Sequence, residues 1–253
     1  MTSTRTCQLT GLRLIADPGT YGYHVGKTEY PPLSAIAREA GAGSRNGWNR
    51  YDAAGYQTFY VAETREAAYA EVLAPFKRAN GSADPLAKDA EALGMTLEEF
   101  VEEVAREWSE RDFMGLGAIP SGWRYDRGMI PTVMPEPGWL VDIEHPDSIS
   151  AVERMMGEEL SWLRVDHLTT GTLRGEDRAI TTAIATFLHD IILETQDMPL
   201  GIQFGSKHGA AWCKALWLDH PAAGEILTLS PDSILVTDDD LKIAADRFRI
   251  RVF

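Results

Sequence analysis

Hydrophobic residues along the chain fall into two patterns, short continuous runs and runs spaced three to four apart, and each predicts a different element. The continuous runs at 58–62 (Thr-Phe-Tyr-Val-Ala), 139–143 and 201–204 predict buried strands. A short strand is expected at 11–15, ending at the turn Asp17-Pro18-Gly19, and others at 163–168, 226–229 and 248–253. A further apolar segment runs from 211 to 218. Helical spacing follows Thr64, an N-cap residue, to about residue 74, where Pro75 ends it. Thr96-Leu-Glu-Glu99 is a capping box. It opens an amphipathic helix to about residue 112, with Leu97, Phe100, Val101, Val104, Ala105 and Trp108 on its apolar face. Ser148 or Ser150 starts another helix to about residue 160. A long helix within 176–193 carries Ile180, Ala183, Ile184, Phe187, Leu188 and Ile191 along one side. Residues 32–40 suit a short helix. The Gly-, Tyr- and Pro-rich stretches 19–33 and 115–137, and the Gly/Ser/Asn-rich stretch 41–49, read as loops. Strands and helices mix without a regular βαβ alternation, so the fold class is α+β.

A chain of 253 residues with 44% hydrophobic content can bury a core and a ligand cleft in one domain, 1–253. Residues 80–128, with their acidic helix, read as a helical insertion. The formal net charge of −14 argues against non-specific binding to nucleic acid or to an anionic membrane surface, because both require a basic face. A few arginines in a cleft can still hold an anionic small molecule. The two cysteines, Cys7 and Cys213, form no disulfide framework and fit a reducing compartment. Residues 1–11 lack the apolar core of a signal peptide, and no apolar run has the length of a membrane span, so the expected location is the cytoplasm.

Several familiar motifs fail. Gly26-Lys27-Thr28 lacks the earlier glycine of a phosphate loop, since Tyr21 stands there, and Glu29-Tyr30-Pro31-Pro32 follows in place of a helix. There is no GxGxxG, GxSxG, HExxH or paired CxxC, so no metal site is expected. Asp238 to Asp240 lack calcium-loop spacing and read as a solvated helix start or turn. The six histidines, at 24, 145, 167, 189, 208 and 220, show no ligand spacing; His208 stands out because Ser206 lies two residues before it.

One segment carries chemistry. An arginine in a Gly-rich approach, Asn49-Arg50-Tyr51-Asp52, precedes a turn at Gly55 and a buried strand ending near Tyr60. The next helix carries Glu71 with Ala67 and Ala68 one turn before it and Ala74 one turn after. Small neighbours at these spacings leave a carboxylate recessed and open to a ligand. Taken alone, Glu71 reads as a solvated helix residue and Arg50 as a salt-bridge partner. Tyr60 by itself reads as core, and Ser206 as a turn former.

This stretch resembles the RES-domain family, named for its Arg, Glu and Ser. Arg50, Tyr51, Asp52, Gly55 and Tyr60 fall at the family's spacing, and Glu71 comes eleven residues after Tyr60, followed by Val-Leu. The family's second block is similar to Gly201-Ile-Gln-Phe-Gly-Ser206-Lys-His-Gly-Ala-Ala-Trp-Cys213-Lys-Ala-Leu-Trp217. A weaker element is an arginine on the first strand, here Arg13. The family's Gly-Gly-Arg-Trp-Asn is replaced by Trp48-Asn49-Arg50-Tyr51-Asp52, and Arg45 is a rival for the arginine; Arg50 fits the distance to Tyr60 without a gap.

The resemblance implies an ADP-ribosyltransferase-like core of mixed or antiparallel sheet with flanking helices. It implies a toxin of a toxin–antitoxin pair that takes NAD⁺ as substrate, with no permanently bound cofactor. Glu71 would stabilise the ribosyl oxocarbenium ion. Arg50, with Arg13 second, would hold the pyrophosphate, Tyr60 would stack beside the nicotinamide, and Ser206 would bond substrate or orient Glu71. The acceptor is water or phosphate (a glycohydrolase or phosphorylase) or else a protein side chain (an ADP-ribosyltransferase). A catalytically silent interaction protein on the same fold is the rival from another class. An antitoxin partner is implied by the resemblance alone.

Overall fold

The computed structural model describes residues 2–77, 84, 86–107, 117–136 and 138–253. The chain opens with strands β1 (Ser3–Thr6), β2 (Arg13–Ala16), β3 (Tyr21–Lys27) and β4 (Thr58–Ala62), then helix α1 (Arg65–Leu73). Helices α2 (Ala87–Ala92) and α3 (Leu97–Glu107) precede β5 (Ala118–Ile119), α4 (Ser121–Tyr125), β6 (Arg127–Val133) and β7 (Leu140–Asp142). A helical stretch follows: α5 (Pro146–Met155), α6 (Gly157–Trp162), α7 (Thr170–Leu173) and α8 (Arg178–His189). The chain ends with β8 (Gly201–Gly205), β9 (Trp212–Trp217), β10 (Leu227–Thr228), β11 (Asp232–Ser233), α9 (Asp239–Phe248) and β12 (Arg251–Val252).

Ten strands form one sheet in the order β1-β2-β7-β8-β9-β4-β3-β6-β10, with β11 also on β6. Only β7 and β8 pair in parallel within it; β5 and β12 make a separate small parallel pair. The architecture is α+β, as the patterning predicts, with a mixed sheet and flanking helices. β4 shows why its residues read as a continuous apolar run. Phe59 and Val61 face one core, with Leu140, Leu200 and Leu216, while Tyr60 and Ala62 face the larger core beneath the helices. A strand buried on both faces has no polar alternation to display.

The sheet opens at one seam. β3 and β6 align over seven residue pairs and β4 and β9 over five, but β3 and β4 meet only at Tyr23 and Ala62. One side-chain bond reinforces the seam, from His24 Nδ1 to the Tyr60 carbonyl at 2.9 Å. Gly22 permits the approach, since a Cβ there would lie 3.0 Å from the Val61 side chain.

The structure corrects several expectations. The presumed loops 19–33 and 115–137 hold β3 and β6, the longest ladder in the sheet. Their glycines are packing devices: a Cβ on Gly128 would sit 2.7 Å from Pro231, and one on Gly26 would sit 2.9 Å from Ile130. Residues 32–40 are not helical; they run irregularly, with one isolated bridge from Ala37 to Gln57. Residues 163–168 are not a strand. Backbone bonds from Arg164 to Ser161 and from Val165 to Leu160 wind α6 down, with Arg164 in the left-handed region. Leu168 is then buried, and Val165 half-buried, from irregular backbone.

The region 80–128 is helical in α2 and α3, and the capping box forms, Thr96 and Glu99 each bonding the other's backbone amide. The expected extension of α3 to residue 112 lies partly outside the described residues. The far end of this region belongs to the body, because Ile119 and Trp123 are buried in the main core and β5 pairs with β12. The acidic run at 238–240 is a helix start: Asp238 caps α9 through the amide of Asp240.

Candidate active site

The opening between β3 and β4 leads into a cavity of about 550 Å³, within the roughly 300–1,000 Å³ range of small-molecule sites. α1 and the loops before β4 and after β8 complete its walls. Arg50, Tyr60, Glu71 and Phe204 line it, together with His24, Arg178, Lys207 and His208.

Arg50 is held from three sides. Its Nη1 donates to the Gly205 carbonyl at 3.0 Å, and its guanidinium lies over the Phe204 ring at 5.0 Å. Arg50 is only 6% exposed, and its Nε is buried with no hydrogen-bond partner among the described residues. The backbone beside it is pinned to β4. Tyr51 N–H donates to the Tyr60 hydroxyl at 3.0 Å, and that hydroxyl donates to Asp52 Oδ1 at 2.9 Å. The other oxygen of Asp52 accepts from Arg38 Nε at 2.6 Å and from the Asn49 amide at 2.8 Å. Burial, and then the Asp52 carboxylate, push the Tyr60 phenol well above the ordinary tyrosine value. The hydroxyl is therefore spent on positioning the Arg50 loop; the ring is what Tyr60 gives to the cavity.

Glu71 projects from α1 beside small residues, and Ala68 and Ala74 line the cavity next to it. Its Oε1 accepts from Ser206 Oγ at 2.7 Å. Ser206 Oγ in turn accepts the His208 amide proton at 3.0 Å. The Ser206 proton thus points at the carboxylate, which suits a residue that orients Glu71 and not a nucleophile. Ser206 is 2% exposed and lies behind Glu71, on a neighbouring cavity that also reaches Glu63, Glu66 and His208. Cys213 Sγ sits 3.8 Å from Glu71 Oε1. Burial and the Glu71 charge push that thiol far up, so it stays protonated.

Gly205 links the two halves of the site. Its carbonyl takes the Arg50 proton, and its N–H donates to Glu144 Oε1 at 3.1 Å. A Cβ there would fall 2.0 Å from Arg174 Nη2, which pairs with Glu144 at 2.6 Å.

Four expected residues, Arg50, Tyr60, Glu71 and Ser206, are therefore brought together. Arg13 and Arg45 are not. Arg13 bonds Thr4 Oγ1 across β1 and β2, and Arg45 bonds the Ala42 carbonyl and covers the Trp48 ring; neither lines the cavity. Sequence reasoning missed Arg178, Lys207, Glu176 and a role for His24. Lys207 had one usable signal, its place next to Ser206; Arg178 and His24 had none.

His24 donates from Nδ1 to a carbonyl, and burial lowers its imidazole below the ordinary histidine value. It is neutral, with Nε2 as an acceptor. Burial also holds His208 below that value, against the opposing pull of Glu71. Among the described residues no group of three or more His, Cys, Asp or Glu could hold a metal ion, and no helix is long and apolar enough to cross a membrane.

No protein-family model matches the chain, and no curated protein matches it significantly. Among solved structures, the chain is similar to one described as the crystal structure of the M. tuberculosis MbcT–MbcA toxin–antitoxin complex, with 13% identity over 91% of this chain and 89% of that chain and a TM-score of 0.42.

Proposed function

We propose that this chain cleaves the nicotinamide–ribose bond of NAD⁺ and acts as a RES-type toxin. The observation that carries the reading is the meeting of Arg50, Tyr60 and Glu71 around one cavity, with Glu71 held at 2.7 Å by Ser206. These are the residues at which the sequence resembles the RES family, and they come from two stretches of chain, 50–71 and the turn at 206.

The chemistry asks little of the protein. When the C1′–N bond breaks, its electron pair leaves with nicotinamide and neutralises the pyridinium ring. C1′ and the ring oxygen are left with positive charge. The Glu71 carboxylate stabilises that charge, and Ser206 keeps the carboxylate aimed. Arg50 meets the pyrophosphate with a guanidinium whose Nε has no hydrogen-bond partner among the described residues. The Tyr60 and Phe204 rings offer faces for the nicotinamide end. Water or phosphate then forms the new C1′–O bond and loses a proton.

Purified protein incubated with NAD⁺ should release nicotinamide, and Glu71→Gln should slow that release by about 10²–10³-fold. Transfer of label from NAD⁺ to a protein would instead identify an ADP-ribosyltransferase. Neither product, with the protein folded and concentrated, would leave the interaction-protein reading. An antitoxin partner that covers the cavity mouth is part of the same proposal, and coexpression with it should restore growth to cells that express this chain.

A further inference from the structure

Three cationic side chains line the cavity, Arg50, Arg178 and Lys207, and besides Glu71 a second carboxylate, Glu176, lies among them. Glu176 Oε1 accepts from Lys207 Nζ at 2.5 Å, and Glu176 Oε2 lies 3.4 Å from Arg178 Nη2. The same two cations also bind one backbone oxygen, the Gly175 carbonyl, from Lys207 Nζ at 2.9 Å and Arg178 Nη1 at 3.2 Å. Two cations aimed at the same pair of oxygen sites make a fork for an oxyanion.

The two sides of this contact differ in exposure. The Lys207 side chain is largely buried, 14% exposed, whereas that of Glu176 is 84% exposed. Glu176 lies in the short link between α7 and α8, next to Gly175, so it can swing outward at small cost. Burial lowers the Lys207 ammonium below the ordinary lysine value; Glu176 raises it and Arg50 lowers it again. The Lys207 bond, opposed by partial burial, holds the Glu176 carboxyl below the ordinary range.

We propose that Glu176 is a built-in competitor: its carboxylate occupies the Lys207–Arg178 fork in the free protein and must leave before a diphosphate can bind there. The ligand class is a nucleoside diphosphate moiety, and its NAD⁺ form rests on the function proposed above. Glu176 therefore weakens binding at the same site whose chemistry belongs to Glu71.

The test is calorimetric titration of ADP-ribose, inorganic pyrophosphate and nicotinamide riboside into the full chain, its Glu176→Gln and Glu176→Ala variants, and Lys207→Met. Both Glu176 variants should bind ADP-ribose and pyrophosphate about three- to five-fold more tightly, the scale of one released partly exposed ion pair. Nicotinamide riboside, which lacks the diphosphate, should be unaffected by Glu176. Lys207→Met should weaken pyrophosphate binding and abolish the gain from removing Glu176 in the double variant. Equal or weaker binding by both Glu176 variants, with matched melting temperatures, would overturn the proposal, even if NAD⁺ is cleaved. Tighter pyrophosphate binding by those variants without any NAD⁺ cleavage would uphold the latch and sink the NAD⁺ reading.

Discussion

Glu71 and Ser206 lie 135 positions apart and share a single hydrogen bond, yet that bond decides how the carboxylate can act. A glutamate at the edge of a helix samples several rotamers; one that accepts a proton from a buried hydroxyl is fixed. Glu71→Gln should keep the fold and lower the rate of NAD⁺ cleavage by about 10²–10³-fold, the loss typical of removing one electrostatic stabiliser. Ser206→Ala should cost less, on the order of ten-fold, because Glu71 remains but loses its aim. Steady-state rates with matched circular dichroism spectra would check both. Activity in Glu71→Gln equal to that of the parent would reject the role of Glu71. At the same scale, Cys213 is a bystander: its thiol is buried and held protonated, so alkylating agents should fail to label it in the folded protein at neutral pH. Mass spectrometry of the native and urea-unfolded protein would read this out.

At the scale of elements, the position of α1 sets the position of Glu71, and α1 is tied to α9. Asp238 does most of the tying. It caps α9 at Asp240, accepts from Tyr69 Oη at 2.8 Å and from Arg65 Nη2 at 3.0 Å. Burial pushes this carboxyl up, but the Tyr69 and Arg65 bonds outweigh burial and hold it below the ordinary carboxylate value. Asp238→Ala should destabilise the protein by about 1–3 kcal/mol, from the lost cap and the unpartnered Tyr69 hydroxyl, while Arg65 keeps Asp232 and Asp240. Urea unfolding of both proteins would measure it. Because the folded value is depressed, this stabilisation is complete above the unfolded carboxylate value of about 3.9 and is lost as pH falls through the lower folded value. An equal midpoint for the two proteins would show that α9 docks without Asp238.

Over the whole molecule, the seam between β3 and β4 carries a group that titrates near neutrality. His24 bridges it as a neutral, half-buried imidazole. Its folded value is lowered, so below the unfolded value of about 6.5 the unfolded chain binds more protons than the folded one. Stability should fall as pH drops through this window. The melting temperature should therefore be lower at pH 5.5 than at pH 7.5, and His24→Gln should reduce that difference. Equal pH dependence in the variant would place the sensitivity elsewhere.

Much of this protein was legible along the chain wherever local physics decides the outcome. The caps at Thr64 and Thr96 formed as their side chains predict, because an N-cap needs only its own next turn. β4, β7 and β8 announced themselves as continuous apolar runs, and the order of Arg50, Tyr60, Glu71 and Ser206 marked the site through a family resemblance. Tertiary packing decided the rest. Gly22, Gly26 and Gly128 read as loop formers because their reason for being small is a neighbour distant in sequence, Val61 or Pro231 for two of them. Spacing alone favours Arg50 over Arg45 and Arg13, and only the folded chain shows that its guanidinium reaches Gly205. Arg178 and Glu176 carry no local pattern, and Lys207 only its place next to Ser206; their shared oxyanion fork exists because the start of α8 and the turn after β8 converge in space, and convergence is a property of the fold.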